Sequence, residues 1–233
     1  DSSFNARSQG YGLTLQQASK AIEGFGISTF ENGVVSTKHI VHTPNGNVVA
    51  EWGMRKWLET SEQKTSKKTN IHIARQVLRQ ALMKQLPSNE AIKWGYKLLH
   101  FTENNQNKLN LTFEVNGKIE TTTADLVVGA DGIRSTVRNL IIGEEKAPLR
   151  YLGCMVILGI CKLNSIENTE RTLLDSATVF QTANGNERIY VMPYDADSVM
   201  WQLSFPIDQA EAKILNRNGV QALKEEACKR TKW

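Results

Sequence analysis

The sequence has 233 residues, of which 40% are hydrophobic and 22% charged, with a net charge of +4. That balance fits an ordinary globular chain with room for one or two domains, and it excludes a disordered polyelectrolyte. No apolar run approaches the ~20 residues of a membrane span, and the densest basic run, Lys64, Lys67 and Lys68, lacks the interleaved aromatics of a nucleic-acid patch and reads as a solvated loop.

The chain begins at Asp1 on polar, loop-like residues, as a piece cut from or processed out of a longer protein would. Gly10-Tyr11-Gly12 then turns into a short strand, Leu13-Thr14-Leu15. Residues 16–26 predict a helix, with Ala18, Ala21, Ile22 and Phe25 at helical spacing and Gly24 and Gly26 as the stop. From Val34 to Gly53 the pattern is strand-like around the hairpin turn Pro44-Asn45-Gly46-Asn47, within an insertion of about residues 30–58. A polar loop spans 59–70. Residues 72–86 predict the clearest helix, with Val77, Leu78, Ala81, Leu82 and Leu86 on one face and Pro87 as its stop.

Strands are expected at 92–101, 108–115 and 121–129, the last two joined by Asn116-Gly117, and then a helix at 135–142. Past Leu149, strands at 153–163, 176–183, 187–193 and 198–205 predict a mixed or antiparallel sheet, followed by helices at 208–216 and 218–230. A domain boundary is placed near 150, dividing the chain into 1–150 and 151–233. The three cysteines, Cys154, Cys161 and Cys228, have no metal or redox spacing and suggest a reducing, cytoplasmic setting.

The segment from Ala124 to Arg138 carries the most information. Leu126, Val127 and Val128 form an apolar run of the kind buried on both faces of a parallel sheet. Gly129 and Gly132 permit a sharp turn and close approach, and Ser135 can cap a following helix. A strand, a glycine turn and a helix start aim backbone N–H groups at an anion. Asp131 would repel a diphosphate, so it is expected to bond a hydroxyl or to orient the loop.

The stretch Asp131-Gly132-Ile133-Arg134-Ser135-Thr136-Val137-Arg138 resembles the Asp-Gly fingerprint of FAD-dependent monooxygenases of the para-hydroxybenzoate hydroxylase type. Two further segments match in order: Ile73-Ala74-Arg75-Gln76-Val77-Leu78-Arg79 is similar to the helix start with flavin-contacting arginine, and Arg7-Ser8-Gln9-Gly10-Tyr11-Gly12-Leu13-Thr14-Leu15 to the segment after the second strand of the dinucleotide fold. Order and spacing are similar to the tetracycline-degrading members. The resemblance implies an α/β fold: an incomplete, Rossmann-like FAD-binding parallel sheet with a mixed or antiparallel substrate-domain sheet. It implies FAD and NAD(P)H as cofactors and transfer of one oxygen atom of O2 to a small organic substrate. By the same resemblance Arg75, Arg79, Asp131, Gly132 and Thr14 are candidate FAD-binding residues, and Arg7 is a candidate for the nicotinamide nucleotide. Thr14 stands where the tetracycline-degrading enzymes carry an aspartate.

The family's G-x-G-x-x-G and its later Gly-Asp motif are not found in the sequence, so this polypeptide by itself is expected to bind FAD weakly or not at all. A flavin reductase of the geranylgeranyl type and a non-catalytic truncated chain are the alternatives. His39 and His42, three apart on a strand, face opposite sides and are not expected to share a metal. Alternation over 199–205 sends Val199, Trp201, Leu203 and Phe205 to one face and Gln202 to the other, one of which would meet an organic substrate. Substrate and oligomeric state are not legible.

Overall fold

The computed structural model describes residues 1–7, 10–16, 18–30, 32–53, 70–167 and 177–232. The basic run at Lys64, Lys67 and Lys68, nearly all of the loop at 59–70, Trp57 and Trp233 lie outside the described residues. The chain forms two compact units, Asp1–Ser8 with Ser88–Leu152, and Gln9–Pro87 with Gly153–Trp233. One boundary between these units falls at Leu152, and each unit is built from two separate stretches of chain rather than from a contiguous 1–150 and 151–233. The early segment Gln9–Pro87 joins the late one because its hairpin extends the late sheet.

In that unit the first elements are β1 (Gly12–Leu15), α1 (Ala18–Gly24), β2 (Val34–Val35), β3 (Lys38–His42), β4 (Val48–Gly53), β5 (Ile71–Ala74) and α2 (Arg75–Met83). The helix expected from 72 therefore starts three residues later, after a strand. β-branched Ile71 and Ile73 favour extension, and β5 lies between β1 and β2 in an antiparallel sheet, with Leu13 opposite Ile73 and Thr14 opposite His72. His72, Ile73 and Ala74 are buried there. Tertiary pairing outweighs the helical pattern that begins at Arg75.

The other unit contains β6 (Lys97–Glu103), β7 (Leu109–Val115), β8 (Lys118–Ala124) and α3 (Thr136–Ile142). The three strands form an antiparallel meander. The strand expected to run to 129 stops at Ala124, and Leu126 and Val128 are 76% and 77% exposed. A strand needs a neighbour to take up its N–H and C=O groups, and among the described residues none lies beside 126–128. The parallel-sheet strand predicted at this run is therefore not formed.

The chain then returns to the larger unit as β9 (Cys154–Lys162), β10 (Thr178–Ala183), β11 (Arg188–Asp195), β12 (Ser198–Pro206), α4 (Gln209–Arg217) and α5 (Gly219–Arg230). Six strands make one sheet in the order β4-β3-β10-β11-β12-β9. The sheet is mixed: β3 and β10 run parallel and the other neighbours antiparallel. This is the mixed sheet expected of an α/β chain.

One face of this sheet is covered by the two C-terminal helices, where Ile157, Leu203, Phe205 and Ala227 pack with Leu215 and Leu223. Arg230 secures α5, bonding Glu226 at 2.6 Å and Glu187 at 3.0 Å, with its guanidinium 3.9 Å above the Phe205 ring. Gly159 leaves room for Trp201: a Cβ there would meet the indole at 2.3 Å. On the opposite face Val179, Met192 and Met200 form a second cluster, and the Gly12 N–H donates to the Met200 Sδ at 3.0 Å. No described helix is long and apolar enough to cross a membrane.

Candidate functional site

The candidate residues fall on both units. Thr14, Arg75 and Arg79 belong to the larger one, and Arg7, Asp131 and Gly132 to the smaller. Each group is built by its own local structure.

In the larger unit β5 runs directly into α2. Ala74, the residue before the helix, is extended and offers no side-chain cap. The first turn therefore keeps its positive end without a carboxylate or hydroxyl from its own N-cap. The Arg75 N–H donates to the Tyr11 carbonyl at 3.0 Å, tying the helix start to the Gly10–Gly12 bend. The Arg75 guanidinium lies 6.0 Å over the Tyr11 ring. Arg79, one turn later on the same side, donates to Gln76 Oε1 at 2.7 Å. Both arginines are half-buried. With five donors in each guanidinium, the pair suits an anionic group at this helix end.

Thr14 sits in β1 with its hydroxyl 3.1 Å from His72 Nδ1. His72 is fully buried, and its Nε2 has no hydrogen-bond partner. An unpartnered ring N–H costs more than an unpartnered lone pair, so the tautomer with Nδ1–H donating to Thr14 is favoured. That leaves the Thr14 hydroxyl its own proton to donate. Burial, with His39 nearby adding to it, pushes the His72 imidazole down to about 4. It is neutral at neutral pH. His39 stacks on Trp52 at 5.1 Å and His42 on Phe180 at 6.1 Å, so these two are occupied with aromatic packing.

In the smaller unit the Asp131–Arg138 loop is held by its own side chains. The Ser135 hydroxyl donates to the Asp131 carboxylate, which also accepts from the Thr136 N–H at 2.7 Å and the Val137 N–H at 3.2 Å. These bonds hold the Asp131 carboxyl below the usual carboxylate range, the Ser135 bond contributing most. Ser135 caps α3, accepting the Arg138 N–H at 3.0 Å, and the Arg138 guanidinium donates to the Ile133 carbonyl at 2.6 Å. Asp131 therefore orients its own loop through the Ser135 hydroxyl and two backbone N–H groups. Gly132 has φ +78°, where a side chain would be strained. The close approach at Gly129 is to its own helix: a Cβ there would lie 2.8 Å from Val137. Arg7 ends a 3-10 turn, Phe4–Arg7.

Sequence reasoning missed His72 and Tyr11. A histidine inside Ile71-His72-Ile73-Ala74 was the available signal for a buried imidazole. Nothing in the sequence distinguished Tyr11 from an ordinary turn residue. Of the two faces around Gln202, the one with Trp201, Leu203 and Phe205 packs against the closing helices. Val156, Leu158 and Ile160 lie on the Gln202 face, where all three side chains are exposed.

A family model described as FAD binding domain matches residues 22–231. No curated protein matches the sequence significantly. Among solved structures, the tetracycline destructase Tet(51) is 18% identical with a TM-score of 0.56, covering 93% of this chain and 54% of that one. Klebsiella pneumoniae HpxO, solved with FAD and uric acid, is 15% identical with a TM-score of 0.67, covering 86% and 48%. PqsL of Pseudomonas aeruginosa, described as a probable FAD-dependent monooxygenase, is 16% identical with a TM-score of 0.62, covering 90% and 54%. The chain thus spans about half the length of the structures it resembles.

Proposed function

Since the chain belongs to the FAD binding domain family, we propose that it serves an FAD-dependent monooxygenase that uses NAD(P)H and O2 to oxygenate a small organic substrate. The observation that carries this reading is the α2 start. Two arginines one turn apart, both within the residues matched by the FAD-binding model, stand at the start of a helix whose N-cap Ala74 offers no side-chain cap.

In this reading Arg75 and Arg79 hold the anionic part of FAD, each through forked donors and with the helix dipole adding to the attraction. Thr14 donates its hydroxyl proton to the cofactor while His72 fixes its rotamer. Gly132 lets the second loop bend, and Asp131 stiffens that loop by accepting the Thr136 and Val137 N–H groups beside the Ser135 cap. Arg7 is proposed to meet the phosphate of NAD(P)H. FAD, when bound, supplies the redox and oxygen-transfer chemistry. The chain's own residues bind, orient and exclude water, and none is required as a nucleophile. The open, apolar Gln202 face of the six-stranded sheet suits the organic substrate. A reducing, cytoplasmic setting suits the three free cysteines.

The test is to purify the protein as encoded in full and to measure NAD(P)H oxidation against O2 consumption. Flavin absorbance with substrate-dependent O2 uptake is expected. NAD(P)H oxidation with reduction of an organic acceptor and no O2 uptake would make it a flavin reductase instead. Arg75→Ala and Arg79→Ala should each weaken FAD binding by about tenfold or more, as loss of one charge-assisted hydrogen bond would.

A further inference from the structure

Tyr11 is held in an unusual way for an exposed aromatic. Three consecutive residues around it are tied by their backbones to three different elements. The Gly10 carbonyl accepts from the Tyr194 hydroxyl of β11 at 3.2 Å. The Tyr11 carbonyl accepts from the Arg75 N–H of α2 at 3.0 Å. The Gly12 N–H donates to Met200 Sδ of β12 at 3.0 Å. Gly10 and Gly12 are buried, and a Cβ at Gly10 would sit 3.2 Å from Gln76. The backbone here is thus set by tertiary bonds, yet Tyr11 as a residue stays 45% exposed, with the Arg75 guanidinium 6.0 Å over its ring. Fixing the backbone while leaving the ring in solvent is preorganisation for a partner that stacks.

We infer that Tyr11 is a cofactor-stacking residue: its ring, flanked by Arg75, forms a shelf for a planar ring of the bound FAD. This rests on the FAD reading above. An aromatic face and a guanidinium together suit an electron-poor heteroaromatic ring that is joined to a diphosphate. The ring takes the plane and the arginine takes the charge. FAD carries two planar systems, and the shelf is assigned to one of them by test.

The experiment compares wild-type protein, as encoded in full, with Tyr11→Ala and Tyr11→Phe, titrated with FAD, FMN and ADP. Circular dichroism and thermal midpoints establish that the variants fold as wild type does. Expected is a loss of FAD affinity of about tenfold in Tyr11→Ala, the scale of one ring stacking on an aromatic side chain, with Tyr11→Phe retaining wild-type affinity. Loss of FMN binding in Tyr11→Ala, with recovery of flavin fluorescence, places the isoalloxazine on the shelf. Loss of ADP binding places the adenine there. If wild type binds FAD and Tyr11→Ala binds it equally well, the shelf is refuted and the FAD reading stands. If Tyr11→Phe loses as much as Tyr11→Ala, the hydroxyl rather than the ring matters, and the stacking role is refuted. If folded wild type binds no FAD, both fall together.

Discussion

Leu203 in the six-stranded sheet and Leu126 beyond the meander are both apolar residues inside strand-like runs. The first is fully buried and the second is 76% exposed. The difference is in what lies next to them. The six-stranded sheet has α4 and α5 on one face and a cluster around Met200 on the other. Among the described residues the meander's strands pair only with one another, and its third strand is exposed almost throughout. Apolar alternation makes a surface ready for burial. A second layer decides whether burial happens, and hence whether a side chain stabilises the fold.

The largest effects should separate these regions. Leu203→Ala is expected to cost about 3–4 kcal/mol, the range for a fully buried leucine, whereas Leu126→Ala should change stability by less than about 0.5 kcal/mol. Denaturant titration reads both, and equal losses would break the contrast. Gly159→Ala drives a methyl into the Trp201 indole and should cost about 2 kcal/mol, the scale of overpacking, with a shift in tryptophan emission. A wild-type midpoint would mean that Trp201 is not packed on Gly159.

The next effect is of pH. His72 in the folded chain sits at about 4, below its ordinary 6.5, so the unfolded chain binds more protons between those values. Its contribution is complete above about pH 6.5 and is lost as pH falls toward 4, by roughly 2 kcal/mol at about pH 5. Burial shifts His39 in the same direction. Stability measured across that window should fall for wild type, and His72→Leu should flatten the slope whatever its absolute stability. The smallest effect belongs to the exposed loop of the smaller unit. Asp131→Ala removes acceptors from the first turn of α3 and should cost about 1 kcal/mol, as cap losses do. Asp131→Asn, which keeps an acceptor, should cost less.

Much of the element order was legible. The turn at Asn116-Gly117, the hairpin at Asn45-Gly46, the strands β9 to β12 and both closing helices follow local alternation and turn chemistry. Ser135 as the cap of α3 and Asp131 as an organiser of its loop were legible for the same reason, since both act within six residues of themselves. The β5 strand was not, because it is held by pairing with β1, some sixty residues earlier in the chain, and with β2. The 126–128 run differs for the complementary reason: its composition suits a buried strand, but among the described residues no strand pairs with it.

Local hydrogen-bonding choices, periodicity and the motif order that marks the family were settled by the amino-acid sequence itself, because these depend on residues close together in the chain. Which apolar faces are covered, the neutral buried His72 against Thr14, and Tyr11 held outward beside Arg75 were decided only by tertiary structure. Those features need groups distant in the chain to meet, and burial and pairing are properties of that meeting rather than of any one segment.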